Sequence, residues 1–167
     1  MQRRSDERGP LGVLLDQEDR EVTLAVCRKP LLVGELNPYG SDPRYALFPY
    51  PKNSSGDRLC RQVLGLTRVQ YLRRFERANL CTAKWDLKSA RECASLLLEF
   101  HRGPVVLLGA KVAKAFGVGY LPFAIAPAAG DRKVLVLPHP SGLCRAWNEG
   151  GSFEKARRAV RAAGVVL

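Results

Sequence analysis

Apolar positions fall into two patterns along the chain, short unbroken runs and longer stretches of helical period. Leu31-Leu32-Val33-Gly34-Glu35-Leu36, Pro104-Val105-Val106-Leu107-Leu108 and Lys133-Val134-Leu135-Val136-Leu137 are of the first kind. Rich in branched side chains and bounded by Gly or Pro, they predict strands buried on both faces. Ala78-Asn79-Leu80-Cys81 reads as a fourth, shorter strand. Lys88 to His101 sets Ala90, Ala94, Leu97 and Leu98 on one side, an amphipathic helix with Gly103 as its stop. His101, beside that C-terminus, is expected as a surface residue favoured by the helix dipole.

Further helices are expected over Lys111 to Phe116, after a turn at Gly109, and from Ser152 as cap, with Phe153, Ala156 and Val160 inward. Ser55 is placed to cap another, beginning near Asp57 with Leu59, Val63 and Leu66 apolar. Val69 to Arg77 reads as a basic, aromatic helix, and the Gly-, Pro- and Ala-rich stretch from Gly117 to Gly130 as a loop. Strands alternating with helices imply an α/β fold whose mainly parallel sheet is covered on both sides. Residues 1–10 read as a mobile basic tail. Leu11 to Leu15 and Val22 to Val26 are apolar patches, a short helix or an edge strand.

Composition narrows the class. A chain of 167 residues, 46% hydrophobic, suits a single domain with its own core, spanning 1–167 with no linker or repeat. Lys and Arg number 27 against 16 acidic residues, a formal charge of +11, which points to a polyanionic partner, nucleic acid before membrane. No run approaches the roughly 20 apolar residues of a membrane span. Five cysteines stand without a CxxC pair, so zinc and iron–sulfur sites are not indicated. Buried, reduced thiols in a cytosolic protein are expected instead.

Two segments stand outside this regular pattern. Asn37 to Ser55 is a long irregular stretch whose Tyr39, Tyr45, Phe48 and Tyr50 argue against disorder. Pro138-His139-Pro140-Ser141-Gly142-Leu143-Cys144-Arg145 holds a histidine between two prolines that fix the backbone on either side of it. Both segments follow predicted parallel strands, so their side chains can converge at one end of the sheet, where open α/β sheets collect ligands. Asn79, at the end of another strand, can join them. On these residues alone, His139 is an oxyanion donor, a general acid or a structural loop residue.

Leu32-Val33-Gly34-Glu35-Leu36-Asn37-Pro38 together with His139-Pro140-Ser141-Gly142-Leu143-Cys144-Arg145 resembles the two signature motifs of the uracil-DNA glycosylase superfamily. The likeness extends from about Leu31 to Asn148 and keeps the order of the parts between. It implies a three-layer α/β/α fold around a four-stranded, mainly parallel sheet. It also implies hydrolysis of the bond between a flipped-out base and deoxyribose, without metal or cofactor. Asn37 then holds the attacking water. Where other branches carry an aspartate Asn is neutral, as in the mismatch-directed, thymine-removing branches, and slower chemistry is expected. Glu35 either supplies the missing negative charge or pairs with a basic residue; period-2 alternation sends it to the same side as Asn37. His139 donates to the oxyanion that develops on the base.

Asn79 takes the place of the family's base-reading asparagine, with a turn-capping role as the alternative. Phe48 is the candidate to stack on the base and Tyr45 the second, unless both pack under the loop. Tyr39 resembles the residue that blocks a 5-methyl group in the uracil-selective branch; Gly40, one place later, resembles the glycine of the tolerant branch. Leu143 is suited to wedge into the stack or else packs inward. Ser41, Ser141, Gly142 and Arg145 are suited to the DNA backbone, and Arg44, Lys52, Arg73, Arg74 and Arg77 to a basic track beyond it.

Three functions follow: a monofunctional glycosylase acting on uracil, the same chemistry on a damaged or enlarged pyrimidine such as the modified cytosines of viral DNA, or a non-catalytic nucleic-acid-binding relative. Double- or single-stranded DNA is the expected partner. A monomer without membrane association, located in the cytoplasm or with a bacterial nucleoid, completes the expectation. If the charge serves DNA, affinity measured from 50 to 200 mM salt should fall steeply, and a flat response would sink that assignment.

Overall fold

Alternate residues of each buried strand face opposite helical layers, and this double burial organises the molecule. The computed structural model describes residues 28–37 and 40–167. The expected basic tail, both N-terminal apolar patches, Pro38 and Tyr39 lie outside the described residues. Strands β1 (Leu31–Leu36), β2 (Glu76–Cys81), β3 (Val105–Leu108), β4 (Ala124–Pro127) and β5 (Lys133–Leu137) form one sheet in the order β2-β1-β3-β5-β4. The first three and β5 run parallel, with Leu31 beside both Glu76 and Val105, and Val105 beside Val134.

The sheet therefore has five strands, where four were expected. The fifth, β4, lies inside the stretch read as a loop and pairs antiparallel with β5, Ala124 opposite Val136. Its Ala-Ile-Ala-Pro sequence is too short to show a period, and its closing proline suits the sheet edge it occupies.

Helix α1 (Ser55–Arg58) runs on into a π-helical turn, Leu59–Val63; α2 (Arg68–Arg74) and α5 (Ser152–Ala162) share that side of the sheet. There Leu32, Val106, Leu108, Leu135 and Leu137 meet Tyr71, Trp147, Ala156 and Val160. On the other side Leu31, Val33, Leu107, Val134 and Val136 meet Ala90, Ala94 and Val112 of α3 (Leu87–Phe100) and α4 (Ala110–Ala115). Each fully buried leucine contributes about 2 kcal/mol. Among the described residues no helix is long and apolar enough to cross a membrane. Cys60, Cys81, Cys93 and Cys144 are free thiols.

Several local expectations need correction. Ser54, not Ser55, caps α1, its Oγ accepting from the Asp57 N–H. The helix expected over Val69 to Arg77 stops at Arg74, because Phe75 is already extended and Glu76 opens β2. A capping box between Thr67 and Gln70 starts it. Ser152 does not cap α5; Gly151 takes that position at φ +78°, while Ser152 Oγ donates to Trp147 O. His101 is buried rather than on the surface, wedged where Arg132 donates to its carbonyl.

Asp57, fully buried, ties the start of α1 to the preceding loop. It accepts from Arg61 at 2.8 and 2.7 Å and from the Asn53 N–H at 2.9 Å, with Arg68 at 3.5 Å. The Arg61 guanidinium holds its carboxyl down at about 2. A carboxylate depressed on folding stabilises the protein above the ordinary range near pH 4 and loses that contribution as pH falls toward 2. Asp57→Asn should lower the unfolding free energy by about 2 kcal/mol at pH 7, since its arginines are partly exposed. The gap to the parent should narrow in denaturant titrations between pH 4 and 2; a constant gap would contradict the assignment.

Candidate functional site

Strands β1, β3 and β5 lie side by side and end together, so the segments that follow β1 and β5 flank one crevice. A pocket of about 560 Å³ opens there, with Glu35 and Asn37 at the end of β1, Asn79 on β2, His139 after β5, and Phe48 and Tyr45 from the long loop. Two loops 102 residues apart in sequence thus meet, as their strand-end positions predict. Glu35 and Asn37 both line the pocket, in keeping with strand alternation.

His139 is held from three directions. Trp147 Nε1 donates to its carbonyl at 2.8 Å, Arg58 Nε donates to the neighbouring Pro140 carbonyl at 3.1 Å, and the Ser141 N–H donates to its Nδ1 at 3.2 Å. The last bond assigns the tautomer: Nδ1 accepts, so a neutral ring carries its proton on Nε2. Burial pushes the His139 pKa down, opposed by Glu35 and aided by Lys111. At pH 7 the ring is a neutral donor rather than an imidazolium.

Glu35 meets the second of its two expected roles. Lys111 Nζ lies 3.1 Å from its Oε2 and 5.8 Å from the Trp85 ring centre. Between Glu35 and His139 sits Gly109 at φ +100°; a Cβ there would stand 3.1 Å from His139 Cβ and 3.7 Å from Glu35 Oε1. A side chain at position 109 would be strained at this φ and would press on His139, while only touching Glu35.

Asn79 pairs in register with Gly34, and a Cβ on Gly34 would collide with its Oδ1. The amide is thereby admitted over β1. Both its Nδ2 and Oδ1 are shielded from solvent and make no hydrogen bond, which rules out the turn-capping alternative. Leaving such a group unpaired costs about 1–3 kcal/mol per partner lost. Asn37 is buried, and its Nδ2 donates to the Asp42 carbonyl at 2.9 Å, closing the first turn of the long loop.

That loop is pinned from beneath. Tyr71 Oη donates to Leu47 O at 3.0 Å, and Arg77 donates to Ala46 O at 3.0 Å. Leu47, at φ +47°, turns the chain so that Phe48 lines the pocket. Arg77 lies 5.8 Å from the Phe48 ring centre, and Tyr45 meets the same ring edge-on at 5.7 Å. Tyr45 itself is 44% exposed. Tyr39 is outside the described residues, whereas Gly40 lines the pocket at φ +100° with open space where a Cβ would stand.

Ser41 also lines the pocket, and Ser141, Gly142 and Arg145 lie along the His139 loop. Leu143 is 93% exposed, so the inward-packing alternative is excluded. The expected basic track does not hold together. Arg44 is bound to Asp42 at 2.7 Å, Arg77 is half-buried under the loop, and Arg74 lines a separate cleft with Arg28, Pro30 and Pro104 at the opposite end of the sheet. Sequence reasoning missed Lys111, Arg58 and Trp147. Lys111 and Arg58 carried no signal among so many cations, but Trp147, eight residues after His139, was available as a loop anchor. Among the described residues no group of three or more His, Cys, Asp or Glu is placed to hold a metal ion.

No protein-family model matches the chain, and neither a curated protein nor a solved structure matches it.

Followed by NMR, His139 should titrate below its ordinary 6.5, with His101→Gln resolving the chain's two histidines. Removing the cation in Lys111→Met leaves Glu35 unopposed and should raise the His139 midpoint, whereas Glu35→Gln should lower it. A parent midpoint above 6.5 would contradict the neutral tautomer.

Proposed function

We propose that this chain is a monofunctional DNA glycosylase of the uracil-DNA glycosylase kind, hydrolysing the N-glycosidic bond of a pyrimidine flipped into the pocket. The observation that carries the reading is the unpaired, solvent-shielded amide of Asn79 in the same pocket as Asn37 and His139. A carboxamide with both atoms unsatisfied can turn into the pocket to meet a ligand edge that donates and accepts, as a pyrimidine does. The four parallel strands and the two motifs at their ends support it; β4 is then an addition at the edge.

The chemistry follows from the residues. The base lies between Phe48 and Asn79, and the bond from sugar C1′ to the base nitrogen lengthens toward an oxocarbenium-like state. Negative charge gathers on the base, and the Nε2–H of His139 is the donor that meets it. Water positioned by Asn37 adds to C1′; its proton passes to solvent and the base leaves as an anion, later protonated. Glu35, paired with Lys111, adds only a partly offset negative charge near the sugar cation. Leu143 fills the gap left in the stack.

A second reading concerns substrate size. A volume of about 560 Å³ is in the range of drug-sized ligands and exceeds what a bare pyrimidine fills. This favours a pyrimidine with an enlarged substituent, including the modified cytosines of viral DNA, over uracil alone.

Oligonucleotides containing uracil, a thymine mismatch or enlarged cytosines, treated with heat and alkali after incubation, will show strand scission at one of these bases. Asn37→Ala and His139→Ala should each lower the rate by about 10²–10³-fold. Because a neutral His139 donates throughout, the rate should hold level from pH 6.5 to 8, whereas a general acid would lose activity across that range. No abasic product from any substrate, with both variants binding as the parent does, would indicate a non-catalytic binding protein instead.

A further inference from the structure

A second loop, Gly119–Phe123, runs beside the His139 loop and belongs to no role described so far. Antiparallel pairing of β4 with β5 brings it to the carboxyl end of the sheet, and the Phe123 N–H donates to Val136 O at 2.7 Å. Phe123, at φ +65°, packs edge-on against Trp147 at 5.8 Å, the residue whose indole holds the His139 carbonyl. Burial raises the pKa of the Tyr120 hydroxyl, with the Cys144 thiol a smaller contribution in the same direction. The two loops are therefore neighbours anchored on one tryptophan.

Their tips are apolar and bare. Leu143 is 93% exposed, Leu121 66% and Tyr120 42%. Single exposed apolar side chains need no explanation, but three large ones on adjoining loops, one of them the His139 loop, do. Cations surround them. Arg58 Nη1 lies 3.8 Å from where a Cβ would stand at Gly142, Lys155 Nζ sits 5.0 Å from the Phe123 ring centre, and Arg145 follows two residues after Leu143. The net charge of +11 opposes a second copy of the chain as the occupant. Apolar tips set among cations suit nucleic acid, where phosphates take the charges and the wedges enter the base stack.

We propose that Tyr120 and Leu121 form a second DNA-contacting element that packs on the strand opposite the flipped nucleotide, directing the site to duplex rather than single-stranded DNA. This rests on the glycosylase reading and deepens it. Leu143 occupies the vacated position, while the Gly119–Phe123 loop meets the unpaired partner base or its neighbour. A single strand offers that loop no second strand to engage.

The test uses the full chain and one oligonucleotide carrying a central tetrahydrofuran abasic analogue, presented single-stranded or annealed to its complement. Fluorescence anisotropy compares the parent with Leu121→Ser and with Tyr120→Ser/Leu121→Ser; both positions are exposed, and thermal melts check folding. The parent should prefer the duplex. The double variant should lose about tenfold on the duplex, as expected for one lost stacking contact, and at least five times less on the single strand. Leu96→Ser, at a leucine on α3 that is also exposed, should leave both unchanged. Equal losses on both DNAs, no loss on either, or the same effect from Leu96→Ser would overturn the proposal. So would concentration-dependent self-association of the parent that Leu121→Ser abolishes without altering duplex preference. Base release by the parent is scored separately: its absence would sink the glycosylase reading while the binding comparison still decides the loop.

Discussion

Strands β1, β3 and β5 are apolar over nearly all their length because both faces are covered, and a polar side chain can stand only where such a strand ends. That constraint decides where chemistry can occur. The three strands are neighbours and end on one edge, so Glu35 and Asn37 at the end of one and His139 after another are forced into a shared crevice. Asn79, on the flanking strand, completes the group because Gly34 beside it has no side chain. The site is a consequence of sheet order more than of any single loop.

Everything else in the pocket keeps those ends still. Trp147, Arg58 and the Ser141 N–H fix the histidine from three sides. Tyr71 and Arg77 fix the aromatic loop from below, and Asp57 ties that loop to α1. Burial keeps His139 neutral, and Lys111 offsets part of the opposing pull of Glu35. The arrangement favours donation of a hydrogen bond over transfer of a proton. It suits a reaction whose leaving group becomes anionic without needing an acid.

The four parallel strands and α3 were legible because unbroken branched runs and a clean helical period leave few alternatives. So was the meeting of Asn37 with His139, since strand ends in a parallel sheet share an edge. Strand β4 was not legible: four residues at an open edge, closed by proline, carry no periodic signal. The end of α2 was misplaced because Arg73-Arg74-Phe75-Glu76-Arg77 carries no local stop signal, and only tertiary pairing with β1 turns Glu76 and Arg77 into strand. His101 was misjudged for a similar reason: Arg132, 31 residues on, binds its carbonyl, and the distant Lys29 backbone meets its ring. The Glu35–Lys111 pair joins residues 76 apart and shows in no local pattern.

The central claim is that Asn79 and His139 together receive a flipped pyrimidine at the carboxyl end of the sheet. The most direct measurement follows the Asn79 side-chain amide and the His139 Nε2–H by NMR as a duplex carrying 2′-fluoro-2′-deoxyuridine, which resists glycosidic cleavage, is added. Both resonances should move together, while Arg74 and Gly164 at the opposite end stay in place. Shifts confined to that far end, or none at Asn79 and His139 once DNA is bound, would contradict the account.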